Sequence, residues 1–153
     1  MVMVDVSDKP ETFRQATASG IIRLKPSTIE LIKKTRTAKG DPVCTSKIAA
    51  ILAAKRTSEL IPLCHPLPIT KVDVETDIVS ETDVKVTVTV KTKAQTGVEM
   101  EALTAAAVGL LTVWDMVKQY EKDPKGQYPT TAIENIHVLK KTKNATLKKV
   151  INE

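Results

Sequence analysis

The chain has 153 residues, a length typical of one domain, and we expect a single domain over residues 1–153. Hydrophobic residues make up 42% and charged residues 27%, which excludes global disorder, and no run of about 18 uncharged apolar residues predicts a membrane span. Lysine and arginine number 23 against 18 acidic residues, so the net charge of +5 favours an anionic ligand.

The first third of the chain predicts one strand and two helices. Residues 17–24 end in an apolar run that favours a strand. A proline in the first turn marks a helix over 26–36. A second helix, rich in alanine, isoleucine and leucine, is predicted over 47–56, with Thr45 or Ser46 as its N-cap.

Strict alternation of residue types then predicts a β-hairpin. Apolar residues and threonine alternate with charged residues over 71–78, and valines alternate with lysine and threonine over 84–91. The polar segment 80–83 joins the two strands as an antiparallel pair. Each strand therefore has one buried face and one solvent face.

The longest predicted element is a helix over about 97–122 that is apolar on nearly its whole circumference. One face can cover the sheet, and the opposite face, which runs from Glu101 to Asp115, needs a second partner, most simply another copy of the chain. The two acids are fourteen residues apart, or ~21 Å along the helix. An antiparallel pair of copies brings Glu101 of one copy towards Asp115 of the other.

A last strand is predicted over 131–139, and the lysine-rich residues 140–153 are expected to form a mobile, solvated tail. The predicted order is β-α-α-β-β-α-β. This order indicates an α+β fold, a ferredoxin-like βαββαβ sandwich with an extra helix, in which helices cover an antiparallel sheet.

The content of glycine, aromatic residues, cysteine and histidine argues against several kinds of site. The five glycines are at least twelve positions apart, which excludes glycine-rich dinucleotide and phosphate loops. With four aromatic residues, the chain is a poor candidate for stacking on single-stranded nucleic acid. Two cysteines and two histidines show no zinc-ligand spacing and no disulfide framework, so we expect no metal site. The first ten residues lack the apolar stretch of a secretory signal, and we expect a cytoplasmic protein without membrane contact.

Three segments contain side chains suited to chemistry, and each also has a structural explanation. Three prolines in 60–68 stiffen the backbone around Cys64 and His65, either to position a side chain or as a connector into the hairpin. Glu99 and Glu101 fall at a helix start, where carboxylates also compensate the helix dipole.

Asp115 and Lys118 form the third candidate. They are three residues apart, which fits a routine ion pair, yet Asp115 lies on an apolar face where a charge is costly unless it is paired or used. Lys39 and Lys55 lie beside turns or helix ends, where they are either solvated charges or ligands for phosphate.

Taken together, these segments resemble the cyclic pyranopterin monophosphate synthase family. The resemblance spans about residues 3–142. The matching stretches are Met3–Ser7, Lys39-Gly40-Asp41, Ala53–Thr57, Leu60–Leu67 and Thr96–Ala106, followed by Asp115-Met116 and Lys118.

The resemblance implies an enzyme of molybdenum cofactor biosynthesis. Its substrate would be 3',8-cyclo-7,8-dihydroguanosine 5'-triphosphate, and its products cyclic pyranopterin monophosphate and pyrophosphate. It also implies a ferredoxin-like subunit in a hexamer, a trimer of dimers, with the site at a subunit interface and no metal or organic cofactor. The alternative is a non-catalytic ferredoxin-like module that binds a small anion or RNA.

The resemblance also implies roles for individual residues. Asp115 takes the acid–base role with Lys118 beside it, and both are assigned to proton transfer. Where relatives have a glycine-rich segment, residues 140–145 contain no glycine, and Lys141 is the residue there that is expected to reach the substrate. The other implied substrate-binding residues are Leu63, Cys64, His65, Glu99, Met100 and Glu101, with Lys39, Lys55 and His65 directed mainly at the phosphates.

Overall fold

The structure is a computed structural model that describes residues 1–144. Within that range it contains four strands and four helices. In chain order they are β1 (Thr12–Arg23), α1 (Pro26–Lys33), α2 (Pro42–Lys55), α3 (Thr57–Leu60), β2 (Ile69–Ile78), β3 (Asp83–Ala94), α4 (Glu99–Glu121) and β4 (Ala132–Asn144).

The four strands form one antiparallel sheet in the order β2-β3-β1-β4. The α+β class with helices on an antiparallel sheet is confirmed, and the strand order is consistent with the ferredoxin-like arrangement. The alternation in β3 explains which face is covered, because its valines at 84–90 are at most 1% exposed. The lysines and threonines between them point to the opposite, polar face.

Helix α4 lies across the apolar face of the sheet and also packs against α2. Gly109 permits this close approach, because a Cβ there would lie 3.1 Å from a methyl group of Val86 and 3.5 Å from the Cβ of Ala50. On the second face of α4, Glu101 and Ala105 are buried within the same chain, so this chain itself supplies part of the cover that was expected most simply from another copy. Leu111, on the same face, remains 57% exposed.

Helix α4 is also long and apolar enough to cross a membrane by length and composition alone. Half of its most apolar 18-residue window is buried inside this fold. Its apolar character is accounted for by packing against the sheet and α2.

Several element boundaries differ from the predictions. Helix α2 begins at Pro42, and its N-cap is Asp41, whose carboxylate accepts hydrogen bonds from the amides of Val43 (2.8 Å) and Cys44 (3.1 Å). Thr45 and Ser46 lie inside the helix, so the predicted caps are wrong. Strand β1 begins at Thr12, five residues before the predicted start, and the short helix α3 was not predicted.

Strand β4 extends to Asn144, so the prediction of a mobile tail is wrong for residues 140–144. These residues pair with the first part of β1, with Phe13 opposite Asn144 and Ala16 opposite Lys141. Pairing with a distant strand gives this lysine-rich stretch its structure, because its own sequence has no apolar alternation. The rest of the predicted tail, residues 145–153, lies outside the described residues.

A buried carboxylate fixes the end of α4. Glu121 is fully buried and accepts hydrogen bonds from the backbone amide of Lys25 (3.1 Å), from the hydroxyl of Thr131 (2.5 Å) and from the hydroxyl of Thr28. These donors come from the start of α1 and from the residue before β4. Glu121 thus joins three elements, and each of its donors depends on it.

Candidate active site

The stiff segment 60–68 and the first turn of α4 form the walls of a groove of about 380 Å³. Five of the predicted substrate-binding residues line this groove: Leu63, Cys64, His65, Met100 and Glu101. Residues near the N-terminus lie along its rim, where Nε2 of His65 donates a hydrogen bond to the carbonyl oxygen of Val4 (2.9 Å). The structure therefore brings these five predicted residues together in a single site.

Glu101 is the buried acid of this groove, at 4% exposure. Burial raises its pKa, and the nearby charge of Glu99 raises it further. The pKa of the Cys64 thiol is also raised, first by burial and then by the charge of Glu101. The groove therefore favours neutral, protonated forms, which suits Glu101 to donate a proton.

Glu99 lies two residues before Glu101 and has the opposite electrostatic behaviour. Burial raises its pKa, but hydrogen bonds from Lys141 and from its own backbone amide outweigh this effect and lower the pKa overall. Nζ of Lys141 lies 2.9 Å from Oε1 of Glu99. The carboxylate folds back over Gly97, where a Cβ would overlap Oε2 of Glu99, so this conformation requires glycine.

A second acid–amine cluster is at the far end of α4. Asp115 accepts hydrogen bonds from Nζ of Lys118 through Oδ1 and from Nζ of Lys39 through Oδ2, each at 2.7 Å. These two bonds, from Lys118 and then Lys39, lower the pKa of Asp115 to about 2. The same contact raises the pKa of Lys118. The cluster is open to solvent, since the Asp115 side chain is 56% exposed.

The loop before α2 positions Lys39 for this contact. The hydroxyl of Thr37 donates to the carbonyl oxygen of Gly40, whose φ of +96° favours glycine. The amide of Ala38 donates to the hydroxyl of Tyr120 on α4 (2.8 Å), which ties the loop to the helix. Nζ of Lys39 also donates to the carbonyl oxygen of Asp115 (3.0 Å).

Lys55 is brought to neither cluster. It is exposed at the end of α2, and it lines a shallow depression with Ile51 and the first residues of β2. Among residues 1–144 of one chain, no contact supports the predicted role of Lys55 at the phosphates. The clusters of Glu101 and Asp115 lie at opposite ends of α4, about 21 Å apart along its axis.

Arg14 lies beside Glu99 and Lys141 and was not among the site residues predicted from the sequence. Arg14 lies opposite Lys143 in the sheet and lines a groove of about 220 Å³ with Lys141 and Glu99. The sequence pattern places Arg14 on the same face of the strand as Ala16 and Ala18, which point inward. Arg14 was missed because the predicted strand began after it. Within residues 1–144, no group of three or more His, Cys, Asp or Glu side chains is arranged to hold a metal ion.

An antiparallel α+β layer with acid–amine clusters at both ends of one helix is a scaffold for acid–base chemistry on an anionic small molecule. Residues 3–144 match the MoaC family, and the chain belongs to that family. The family expected from the sequence motifs is thereby confirmed.

Curated relatives cover almost the same range. The chain is 55% identical over 141 residues to the probable cyclic pyranopterin monophosphate synthase of Pyrococcus horikoshii, covering 92% of this chain and 88% of the relative. It is 56% identical, with the same coverage, to a protein of the same name from Methanococcoides burtonii. A relative from Methanothermobacter thermautotrophicus, also 56% identical with the same coverage, is named a probable cyclic pyranopterin monophosphate synthase accessory protein.

Proposed function

We propose that this protein is a cyclic pyranopterin monophosphate synthase, a lyase of molybdenum cofactor biosynthesis. It converts 3',8-cyclo-7,8-dihydroguanosine 5'-triphosphate to cyclic pyranopterin monophosphate and pyrophosphate. The observation that carries this proposal is the family match over residues 3–144, together with relatives of that name at about 55% identity. The alternative, an RNA- or anion-binding module without activity, finds no support among these relatives.

The active site is composite and contains residues from two subunits. One small substrate cannot touch Glu101 and Asp115 of one chain, because they are about 21 Å apart along α4. Two antiparallel copies of α4 place Glu101 of one subunit near Asp115 of the other. Exposed apolar side chains on the helical layer support self-association, namely Ile48 and Leu52 of α2 and Leu111 of α4. The full assembly is a homohexamer, a trimer of dimers, in the cytoplasm.

The two clusters divide the acid–base work. Glu101 keeps its proton to higher pH than an ordinary glutamate and donates to the ring system as it opens. Lys118 stays charged beside Asp115 and donates a proton or stabilises negative charge on the leaving phosphates. A substrate phosphate that draws Lys39 away removes one of the two bonds that lower the pKa of Asp115, and Asp115 then becomes a stronger base.

The first experiment supplies the purified protein with the cyclised nucleotide triphosphate and measures both products. Wild type forms cyclic pyranopterin monophosphate and pyrophosphate, and Asp115→Asn, which keeps the shape of the side chain, loses at least about a hundredfold in turnover. Absence of product with wild type, together with salt-dependent RNA binding, would replace this proposal with the alternative.

A mixing experiment tests the composite site. Glu101→Gln and Asp115→Asn are each nearly inactive, but dissociated and reassociated together they form mixed dimers with one intact site of two. Random reassociation therefore restores about a quarter of wild-type activity. No recovery in mixed dimers of confirmed composition means that each chain holds its own complete site.

A further inference from the structure

The loop over residues 37–40, which supplies Lys39 to Asp115, is joined to α4 by a single backbone contact. The backbone amide of Ala38 donates a hydrogen bond to the phenol oxygen of Tyr120 (2.8 Å). Among the residues that the structure describes, no other hydrogen bond joins the backbone of this loop to α4. The hydroxyl of Tyr120 therefore sets the position of the loop backbone relative to the helix.

The loop is also closed on itself, so it responds to this contact as one unit. The amide of Gly40 donates to the carbonyl oxygen of Thr37 (3.2 Å), and the hydroxyl of Thr37 donates to the carbonyl oxygen of Gly40. Asp41 follows directly as the N-cap of α2. A turn that is braced in this way transmits the position of Ala38 to the residue next to it.

Tyr120 is itself held in place. Its ring is half-buried and packs against the hydrophobic core. Its carbonyl oxygen accepts a hydrogen bond from Nζ of Lys25 (3.1 Å), which also donates to the carbonyl oxygen of Lys122 (3.0 Å). The next residue, Glu121, is the buried carboxylate that accepts the backbone amide of Lys25. The last turn of α4 is therefore fixed, and the phenol oxygen has a defined position.

The contacts of Lys39 show what the position of the loop controls. Nζ of Lys39 lies 2.7 Å from Oδ2 of Asp115 and 3.0 Å from the carbonyl oxygen of the same residue. A lysine loses rotamer freedom in such a two-point contact, and a fixed backbone leaves less freedom to be lost. Lys118 reaches the same carboxylate from three residues along α4, so its contact does not depend on the loop.

We propose that Tyr120 is a positioning residue, whose hydroxyl holds Lys39 at Asp115 through the backbone of Ala38. Tyr120 touches no reacting atom and acts through Lys39. Its effect on turnover rests on the proposed function, whereas its effect on the position of Lys39 can be measured without substrate.

Competitive acetylation of the lysines, followed by mass spectrometry of the peptides, measures the position of Lys39 in the substrate-free protein. Tyr120→Phe removes only the hydroxyl, and the acetylation rate at Lys39 rises by about threefold because its amine spends less time in contact with Asp115. The rate at Lys118 stays within about 1.5-fold of wild type and is the internal reference, since its contact is made within the helix.

The matched control is Thr70→Val, which removes another exposed hydroxyl that joins two elements. The hydroxyl of Thr70 on β2 donates to the carbonyl oxygen of Lys91 on β3 (3.1 Å). This variant leaves the acetylation rate at Lys39 within about 1.5-fold of wild type. An unchanged rate at Lys39 in Tyr120→Phe, or an equal rise in Thr70→Val, overturns the proposal.

Turnover of the cyclised nucleotide triphosphate gives the second readout. Tyr120→Phe lowers kcat/KM by about fivefold, because a displaced Lys39 must be brought back to the site in each turnover. The thermal midpoint stays within about 2 °C of wild type, since the lost hydrogen bond is open to solvent. Unchanged kcat/KM, or a loss that only accompanies a lower thermal midpoint, overturns the role in the reaction. Wild type that makes no product contradicts the proposed function alone, and the acetylation rates still decide whether Tyr120 positions Lys39.

Discussion

At the two ends of helix α4, the surroundings shift the pKa of an acidic side chain in opposite directions. At its start, Glu101 is buried and its pKa is raised, so the carboxyl favours its neutral form. Near its end, Asp115 is exposed, and two lysines lower its pKa to about 2. The same kind of group on one helix thus favours its neutral form at one end and its charged form at the other, according to what surrounds it.

The largest effect is expected from Lys118→Met, at the end of α4 where the pKa of Asp115 is lowered. This variant removes the ammonium group that makes the strongest contribution to the low pKa of Asp115, and turnover falls by about a thousandfold. Stability changes little, because the pair is open to solvent. Lys125→Met removes an exposed lysine from the loop after α4 and serves as the control for general charge. Near-normal turnover by Lys118→Met would withdraw its role in proton transfer.

The second largest effect is expected at Glu121, the last residue of α4, and it concerns stability rather than turnover. Glu121→Ala leaves the hydroxyls of Thr28 and Thr131 and the amide of Lys25 without their acceptor. The free energy of unfolding falls by about 3 kcal/mol in chemical denaturation. Gln119→Ala, an exposed position two residues earlier, stays within about 0.5 kcal/mol of wild type. Because alanine has the highest helix propensity, neither variant weakens the helix itself, and equal losses in both would contradict the role of the buried carboxylate at this end.

These residues also show which parts of the fold the sequence could predict. The hairpin was predicted to within a few residues because alternation at 71–91 reports burial of every second side chain. The end of β4 was missed because residues 140–144 are held by pairing with β1, and pairing with a distant strand leaves no local pattern. The first residues of β1 are also held by pairing with distant strands. The strand was therefore predicted to begin at residue 17, and Arg14 was not recognised as part of it.

The candidate site was predictable only in part. The motifs selected the residues of the groove, and the helical repeat correctly separated Glu101 from Asp115. Sequence could not show that Lys39 contacts Asp115, since a loop 76 residues away supplies it, nor that Lys55 lies apart from both clusters. Tertiary contacts of this kind depend on how the elements pack and not on spacing along the chain.

A smaller effect, of opposite sign, is expected at the start of α4. Glu101→Gln removes a carboxyl that is costly to ionise in its groove, so the free energy of unfolding at pH 7.5 rises by about 1 kcal/mol while turnover is lost. Because the pKa of Glu101 is raised in the folded state, the cost of ionising its buried carboxyl is fully present above that raised pKa. It disappears below the ordinary glutamate value, so the gain vanishes towards pH 4.

Asp115→Asn is the matched comparison in the same pH series. The low pKa of Asp115 means that its contacts with the lysines persist in acid and are lost only as the pH falls towards about 2. Its stability curve therefore stays parallel to that of wild type between pH 4 and pH 7.5. A Glu101→Gln gain that persists undiminished at pH 4 would show that packing, not ionisation, produces it.

The smallest expected effect belongs to Gly97→Ala, which tests how the start of α4 is organised. A Cβ at position 97 overlaps the carboxylate of Glu99, and that flexible side chain can move aside, so the thermal midpoint changes by less than about 2 °C. The displaced carboxylate loses its contact with Lys141, and KM rises about fivefold with kcat within about twofold of wild type. If the glycine acts through Glu99, then adding Gly97→Ala to Glu99→Gln causes no further rise in KM. Additive losses in that double-mutant cycle would instead mean that the added methyl group obstructs the groove directly.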